Sequence, residues 1–597
     1  MTPTTLNELF FDAMARYGNR PAALRVKRDG AWQSLTHQTV SQRVHHLHCG
    51  LRELGLTAGD RMAILSENRP EWAIADFACL TARLADVPIY PTLPPNQIGY
   101  ILRDSGALGA FVSNRIQLAK LLECRAEAPA LRHIVFFDEG ELPEGVIGLR
   151  ELEARGAAAV AKYPDWQAEA GRVVPDDLAT LIYTSGTTGD PKGVMLTHGN
   201  ITSNVVASMQ VLPVSNTDEC LSFLPLSHIF ERMVGHYTMV CGGTIINYAT
   251  SMDDLTTEMI EIRPTIMAAV PRLYEKIYGK TIERAMSGGV LKRGIFEWAK
   301  ATGEKRLEYV LTHRTVPVGL ALGYRIADVL VFSKLRARIG GRLRYFVSGG
   351  APLNPDICRF FIAAGLPILE GYGLTETSPV ICVNTFALLK PGTVGRPIPG
   401  VEIKIAADGE ILTRGPHIMR GYYNKPEATA EAIDPEGWFH TGDIGVIDAD
   451  GCLRITDRKK DIIVTAGGKN IAPQPIEALL KTNKFFLNAV MLGDKRKFPI
   501  MLLVPNPAVV KHWLGLKGLP AQSGTALSQR PEVQEKLERE ARRSLRDLAH
   551  FEMPKKFLVL PHDFSIERGE LTPKMSVRRK VVEEHYRDQI EGLFLEE

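Results

Sequence analysis

The sequence has no Cys-x-x-Cys pair; its eight cysteines (Cys49, Cys79, Cys124, Cys220, Cys241, Cys358, Cys382 and Cys452) are scattered. Such spacing suggests neither a zinc site nor a disulfide framework, and a reducing compartment fits best. Net charge is also small. A balance of +3 over 597 residues gives no argument for nucleic acid as a partner. No signal-peptide pattern opens the chain, because Glu8 precedes the first basic residue, Arg16. The one long uncharged stretch, Met233 to Met252, carries His236, Asn247, several threonines and the pair Gly242-Gly243. It is expected to form helix, turn and strand, not a membrane span. Internal repeats and long low-complexity tracts are missing too. What remains is an ordinary globular composition, 45% hydrophobic and 23% charged, with room for two or more domains. A cytoplasmic location is expected, either free or on the inner surface of a membrane.

Short apolar runs alternate with helical patterns through the first three quarters: "RMAILSEN", "ALGAFVSN", "RHIVFFDE", "LATLIYTS", "GTIINYA" and "LRYFVSGG". This rhythm predicts βαβ units, mostly parallel sheets and an α/β fold. Between Gly392 and Gly421 the texture changes. "GVEIKIAADGEILTRG" alternates about Asp408-Gly409, a hairpin signal that predicts a small β subdomain. The charged run "TDRKKDIIVTAGGKN" marks a boundary near Arg458. Beyond it, strands ("AVMLG", "PIMLLVP") mix with a charged helix over Pro531 to Leu548, and the chain ends in a basic tail.

The stretch "LIYTSGTTGDPKGVMLTHGN" begins like a buried strand and then crowds glycines and hydroxyls around one lysine. A loop that cradles phosphate needs glycines so that its N–H groups can aim inward, together with hydroxyls and a cation. Thr184, Ser185, Gly186, Thr187, Thr188, Gly189 and Lys192 supply all three. It is not a Walker loop, since Pro191 precedes Lys192 and Gly193 follows it. Glycine and threonine content alone suits a solvated turn equally well.

The twelve residues "YTSGTTGDPKGV" resemble the signature of the adenylate-forming superfamily, which includes acyl-CoA synthetases, firefly luciferase and peptide synthetase adenylation domains. Further motifs follow in the family's order. "SGGAP", with Gly349, Gly350, Ala351 and Pro352, is similar to the adenine-contacting segment. "GYGLTET", with Gly371, Tyr372, Gly373, Thr375 and Glu376, is similar to the loop touching adenine, α-phosphate and magnesium. "WFHTGDIG" carries Asp443, and "DRKKDIIVTAGGKNIAP" resembles the hinge and thioester segment.

The resemblance implies a large N-terminal domain over 1–457 with the ATP and acyl sites, and a small mobile α+β domain over 458–597. It implies ATP, Mg2+ and CoA as cofactor and co-substrates. Lys192 and the loop hydroxyls would face the β- and γ-phosphates, Thr375 the α-phosphate, and Tyr372 the adenine. Glu376 would bind the metal; Asp443 would accept the ribose hydroxyls, joined by Arg458. The small domain would turn about Lys460, and Gly467, Gly468 and Lys469 would then line the path of the pantetheine arm.

"LSFLPLSHIFERMVGHYTMVCGG" and "ADVLVFSKLRARIGGRLRYFVSGGAPL" resemble long-chain acyl-CoA synthetases in particular, implying a fatty acid as substrate. His228 stands where the family keeps an aromatic ring near the carboxylate; it suits a helix N-terminus equally. One departure stands out. The family's closing lysine, which bridges carboxylate and α-phosphate, aligns with Ser576 in "LTPKMSVRRKVV", and Lys574 lies two residues earlier. Lys574 is the candidate replacement. A ligase that stops at acyl-adenylate or loads a carrier protein, and an acyl- or nucleotide-binding pseudoenzyme, stay open as alternatives. The segment 281–345 holds thirteen Lys and Arg against five Asp and Glu, a local +8. Leu322, Ile326, Val329 and Leu330 recur there at helical spacing. Either this stripe packs beneath a solvated basic face, or the segment meets an anionic membrane. Oligomeric state is left open.

Overall fold

The computed structural model describes residues 2–184, 190–286, 289–520, 524–565, 568–571 and 577–595. Two large sheets carry the first part of the chain. One has nine strands in the order Arg396–Pro397, Val380–Val383, Ile368–Gly373, Tyr345–Ser348, Ile266–Ala269, Glu219–Ser222, Ile245–Tyr248, Leu24–Arg28 and Ala31–Leu35. The other has eight, in the order Gly421–Tyr422, Lys192–Thr197, Leu178–Thr184, Ala85–Ile89, Arg61–Leu65, Gly109–Val112, His133–Phe136 and Val146–Gly148. Both are parallel in their interiors and antiparallel only towards their ends. Strands that alternate with helices read as continuous apolar runs because both faces are covered.

The helix Pro70–Thr81 is buried at every position. Its sequence is apolar around most of its circumference, so it belongs inside rather than at a surface. Trp72 and Phe77 from this helix share one core with Ile246 and Leu369 of the nine-stranded sheet and Leu196 of the eight-stranded sheet. The uncharged stretch from 233 to 252 follows its expected course. Helical turns run to Gly242, Gly243 reverses the chain at φ +68°, and Ile245–Tyr248 is a strand.

A four-stranded antiparallel sheet follows: Glu402–Ile405, Glu410–Arg414, Phe439–Ile447 and Leu453–Arg458. Its first hairpin turns at Gly409, φ +86°, as the Asp-Gly pair predicts. Arg458 is the last residue of this sheet. The chain beyond it forms the short pair Ile463–Val464 and Asn470–Ile471, then a three-stranded sheet, Phe486–Leu492, Ile500–Pro505 and Lys556–Val559. Among the described residues, neither shares a strand with the sheets before Arg458. The charged helix runs over Pro531–Ser544, shorter than the sequence pattern suggests. Leu545 is buried and the backbone turns there, with the Leu548 N–H donating to the Leu545 carbonyl.

Candidate active site

The Gly/Thr loop joins two strands of one hairpin. Leu178–Thr184 leads into it and Lys192–Thr197 returns antiparallel, so Thr184 stands directly opposite Lys192. Ser185, Gly186, Thr187, Thr188 and Gly189 lie outside the described residues. Lys192 Nζ stands 4.9 Å from the ring centre of Tyr422, a cation–π distance. Tyr422 is held by the edge strand Gly421–Tyr422, where it pairs with Val194. Its hydroxyl donates to Oε1 of Glu376 at 3.0 Å. One tyrosine therefore joins the lysine of the first motif to the glutamate of the third. Tyr422 lies in "RGYYNKP", which carries no motif that sequence reasoning used.

Glu376 is delivered by a sharp reversal. The strand Ile368–Gly373 ends at Gly373, where a Cβ would lie 1.7 Å from the Pro379 carbonyl oxygen, so only glycine fits. Thr375 to Thr377 form one tight 3-10 turn before the chain returns as Val380–Val383. Thr375 is buried there. Gly371 also approaches the returning strand, with a built Cβ 3.3 Å from the Cys382 carbonyl.

Just before the reversal, the Tyr372 hydroxyl donates to Oδ2 of Asp443 at 2.6 Å. Arg458 Nε lies 3.2 Å from Oδ1 of the same carboxylate. Asp443 and Arg458, fifteen positions apart in sequence, meet because they are direct partners in the antiparallel pair. Asp443 is 4% exposed. Burial raises its carboxyl above the ordinary range, Arg458 pulls it back, and the nearby Glu376 charge raises it further. Glu376 and Asp443 thus belong to one electrostatic neighbourhood.

Gly349 packs against Phe230, whose ring would meet a Cβ at 3.0 Å, and Gly350 turns at φ +81°. Gly350, Ala351 and Pro352 border a cleft of about 2780 Å³ together with His228, Tyr372 and Asp443. His228 stands at the start of a helix, where its Nδ1 accepts the Phe230 N–H at 3.0 Å, and it is among the residues that border the cleft.

The small domain closes the other side of this cleft with Gln474, Lys481 and Arg578. Lys460 lines it from an exposed turn one residue beyond Lys459. Lys459 itself is anchored to Asp408 at 2.6 Å and Glu410 at 2.9 Å, a contact that sequence reasoning did not find. Gly467, Gly468 and Lys469 are not brought to the cleft. They form the turn of a short hairpin, with Gly468 at φ +72° and Lys469 Nζ 5.9 Å from the Phe551 ring. The Ala466 N–H donates to the Arg496 carbonyl at 2.8 Å, which ties this turn to its own domain. Lys574 and Ser576 lie outside the described residues; Val577 and Arg578, which follow them, border the cleft.

Among the described residues, no group of three or more His, Cys, Asp or Glu side chains could hold a metal by itself. Glu376 could offer Mg2+ a single carboxylate, with its Oε1 oriented by the Tyr422 hydroxyl. Mg2+ keeps several waters and commonly takes one carboxylate plus substrate phosphate oxygens.

Behind the hairpin lies a network to which sequence reasoning assigned no role, although Arg232 and Tyr237 sit in the quoted stretch "LSFLPLSHIFERMVGHYTMVCGG". Arg232 is fully buried and forms ion pairs with Asp76 and Asp86, both fully buried as well. Its Nη1 donates to Oδ1 of Asp86 at 2.8 Å and to the Thr180 hydroxyl at 2.8 Å. Tyr237 completes it by donating to Oδ2 of Asp76 at 2.9 Å. The strand Leu178–Thr184, which presents the loop, is thereby cross-tied to the helix Pro70–Thr81 and the strand Ala85–Ile89.

Residues 10–423 match the AMP-binding enzyme family, and residues 460–597 match the AMP-binding enzyme C-terminal domain. The long-chain-fatty-acid–CoA ligase FadD15 of Mycobacterium tuberculosis is 37% identical over 574 residues, 95% of this chain and 94% of that protein. The human long-chain-fatty-acid–CoA ligase 6 is 32% identical, over 99% of this chain and 86% of that protein. Among solved structures, the anthranilate CoA ligase AuaEII in complex with anthranoyl-AMP superposes with a TM-score of 0.75 at 19% identity, covering 99% of both chains, and supports the fold. The chain belongs to the AMP-binding enzyme family of adenylate-forming enzymes and stands close to its long-chain acyl-CoA synthetases.

Proposed function

We propose that this chain is a long-chain-fatty-acid–CoA ligase of the AMP-forming kind. The observation that carries the reading is 37% identity, over 95% of this chain, to a ligase of that name, with Lys192 and Glu376 meeting at Tyr422, and Tyr372 and Arg458 meeting at Asp443. In the first step a carboxylate oxygen attacks the α-phosphorus of ATP and the bond to pyrophosphate breaks. In the second, the CoA sulfur attacks the acyl carbon, the bond to AMP breaks, and the thiol proton goes to solvent.

The first step brings anions together, so it needs positioned donors and cations. Lys192 and the hydroxyls of Thr184 to Thr188 hold the β- and γ-phosphates. Thr375 donates to the α-phosphate. Glu376 would hold Mg2+, which would supply positive charge against the phosphates. Asp443 accepts the ribose hydroxyls, held in place by Tyr372 and Arg458. The α-phosphate lysine is Lys574. The domain division is 1–457 and 458–597, with Lys460 as the pivot. Rotation about it carries Gly467, Gly468 and Lys469 from their present hairpin turn to the pantetheine path. The basic segment 281–345 contacts an anionic membrane surface.

The test supplies a long-chain fatty acid, ATP and Mg2+, with and without CoA, and follows pyrophosphate, AMP and thioester. Acid-dependent pyrophosphate, with AMP and acyl-CoA appearing once CoA is added, is the expected result. Pyrophosphate without a CoA thioester would favour an enzyme that stops at the adenylate or loads a carrier protein. No pyrophosphate with any fatty acid would favour a binding protein.

A further inference from the structure

Two asparagines of the large domain grip backbone beside the site, and each uses both ends of its amide. Asn68 stands between the strand Arg61–Leu65 and the helix Pro70–Thr81. Its Oδ1 accepts the Leu226 N–H at 2.9 Å. Its Nδ2 donates to the Leu224 carbonyl at 2.6 Å and to the Ser222 hydroxyl at 3.1 Å. Asn204 lies on the helix His198–Val211. Its Oδ1 accepts the Val380 N–H at 3.1 Å, and its Nδ2 donates to the Val380 carbonyl at 2.7 Å. An amide that serves an N–H and a C=O together does for backbone what a neighbouring strand does inside a sheet.

The two grips hold different walls. Beyond the strand Glu219–Ser222 the chain is irregular until a helix begins after His228. Phe223, Leu224, Pro225 and His228, from this stretch, border the cleft. Phe223 packs on the apolar cluster of Leu255 and Leu273, which border it as well. Ser222 extends the tie, because its hydroxyl donates to the buried Glu231 at 2.6 Å, about one turn past His228. Asn68 thus fixes an apolar wall, the kind that suits the chain of an acid. Asn204 fixes the exit of the Glu376 turn. Val380 opens the strand that returns from it and pairs with Gly373. Glu376 meets Tyr422, whose ring stands against Lys192, the kind of surroundings that suit phosphates.

We propose that Asn68 and Asn204 are positioning residues with separate duties. Asn68 holds the wall along which the carboxylic acid lies, and Asn204 holds the turn that presents Glu376 to MgATP. The identity of the two substrates rests on the ligase reading; the grips do not.

The test is acid-dependent pyrophosphate release by the full chain, with acid and MgATP varied in turn. The acid is whichever of acetate, octanoate and palmitate the parent turns over fastest. Asn68→Ala leaves backbone groups unpaired on the acid wall, so it should raise the KM for the acid roughly tenfold and that for ATP less than about twofold. Asn204→Ala should show the reverse. Asn68→Ser and Asn204→Ser, which keep one polar atom, should repeat the pattern more weakly and serve if an alanine variant does not fold. Asn7→Ala is the control. Asn7 is equally buried and donates to the Leu80 and Ala170 carbonyls at 3.0 Å, but neither it nor these partners border the cleft. It should leave both KM values near the parent's. Both KM values rising together in either clamp variant, neither moving, or Asn7→Ala matching the clamps would overturn the proposal. Calorimetric titration with MgATP and with the acid should show the same division without turnover. A parent that prefers acetate, or that binds both ligands and releases no pyrophosphate, would count against the ligase reading, while the binding constants of the variants still decide the two duties.

Discussion

The Tyr372 hydroxyl donates to one oxygen of the Asp443 carboxylate at 2.6 Å while Arg458 holds the other at 3.2 Å. The carboxylate is thus oriented from both sides by side chains of the protein itself. Tyr372→Phe leaves a buried acceptor with one donor fewer, which typically costs about 1–3 kcal/mol. The expected result is a KM for ATP raised roughly tenfold, with kcat changed less. Steady-state kinetics with varied ATP checks this, and an unchanged KM would mean that Tyr372 does not orient Asp443 for the ribose.

Arg232 offers a stability prediction of a different size. Arg232→Ala leaves Asp76 and Asp86 buried without their cation, a change worth about 3–5 kcal/mol. Denaturant unfolding should show it as a lowered midpoint. Replacing all three residues by apolar side chains of similar volume should be much milder than the single substitution. If the single substitution shifts the midpoint by less than the triple, the network is not what the geometry indicates.

Glu231 gives a pH dependence with a definite sign. It is fully buried, and burial pushes its carboxyl from an ordinary 4.5 up to about 8, against a stabilising bond from Ser222. Between those values the folded protein keeps a proton that the unfolded chain has released. Stability therefore falls as pH rises through that window, by up to about 1.4 kcal/mol per pH unit, and levels off above it. Glu231→Gln removes this contribution. Its stability relative to the parent should grow as pH rises between the two values, and a constant difference in urea unfolding across that range would refute the assignment.

Lys460→Pro should separate the two half-reactions. Proline fixes φ, so it resists the dihedral swing that a pivot needs. Acyl-adenylate formation should persist while transfer to CoA slows. An equal fall in both rates would argue against Lys460 as the pivot.

Lys574→Ala should lower acyl-adenylate formation by on the order of 10²–10³, the usual effect of removing one positioned donor. The variant should still convert supplied acyl-adenylate and CoA to thioester. Adding Ser576→Lys to it should restore part of the first step, because a hydroxyl carries no charge and a lysine does. Unaltered adenylation by Lys574→Ala would shift attention to Arg578.

Local patterns carried much of this architecture. The Asp408-Gly409 hairpin and the helix, turn and strand after Met233 stand as read, because periodicity and turn chemistry act within a few residues. The partnership of Asp443 with Arg458 is different: each belongs to a recognisable motif, but only strand register brings them face to face. The roles of Tyr422 and Arg232 were invisible for a related reason. Their partners lie 46 positions away for Tyr422 with Glu376, and 156 for Arg232 with Asp76. No single-sequence pattern encodes a pair that distant. The end of the charged helix at Ser544 was misjudged because burial of Leu545, a tertiary effect, turns the chain there. The apolar stripe at 318–330 was visible, but only exposure could tell a packed face from an open one, and Leu322, Ile326, Val329 and Leu330 are exposed.

The central claim is that the fatty acid's own carboxylate attacks ATP and that CoA then displaces AMP. It is tested most directly with a long-chain acid labelled with oxygen-18 in both carboxylate oxygens, incubated with ATP, Mg2+ and CoA. Mass spectrometry of the products should find one labelled oxygen in AMP, one in the acyl-CoA carbonyl and none in pyrophosphate. AMP without label, or label appearing in any released phosphate, would contradict the account.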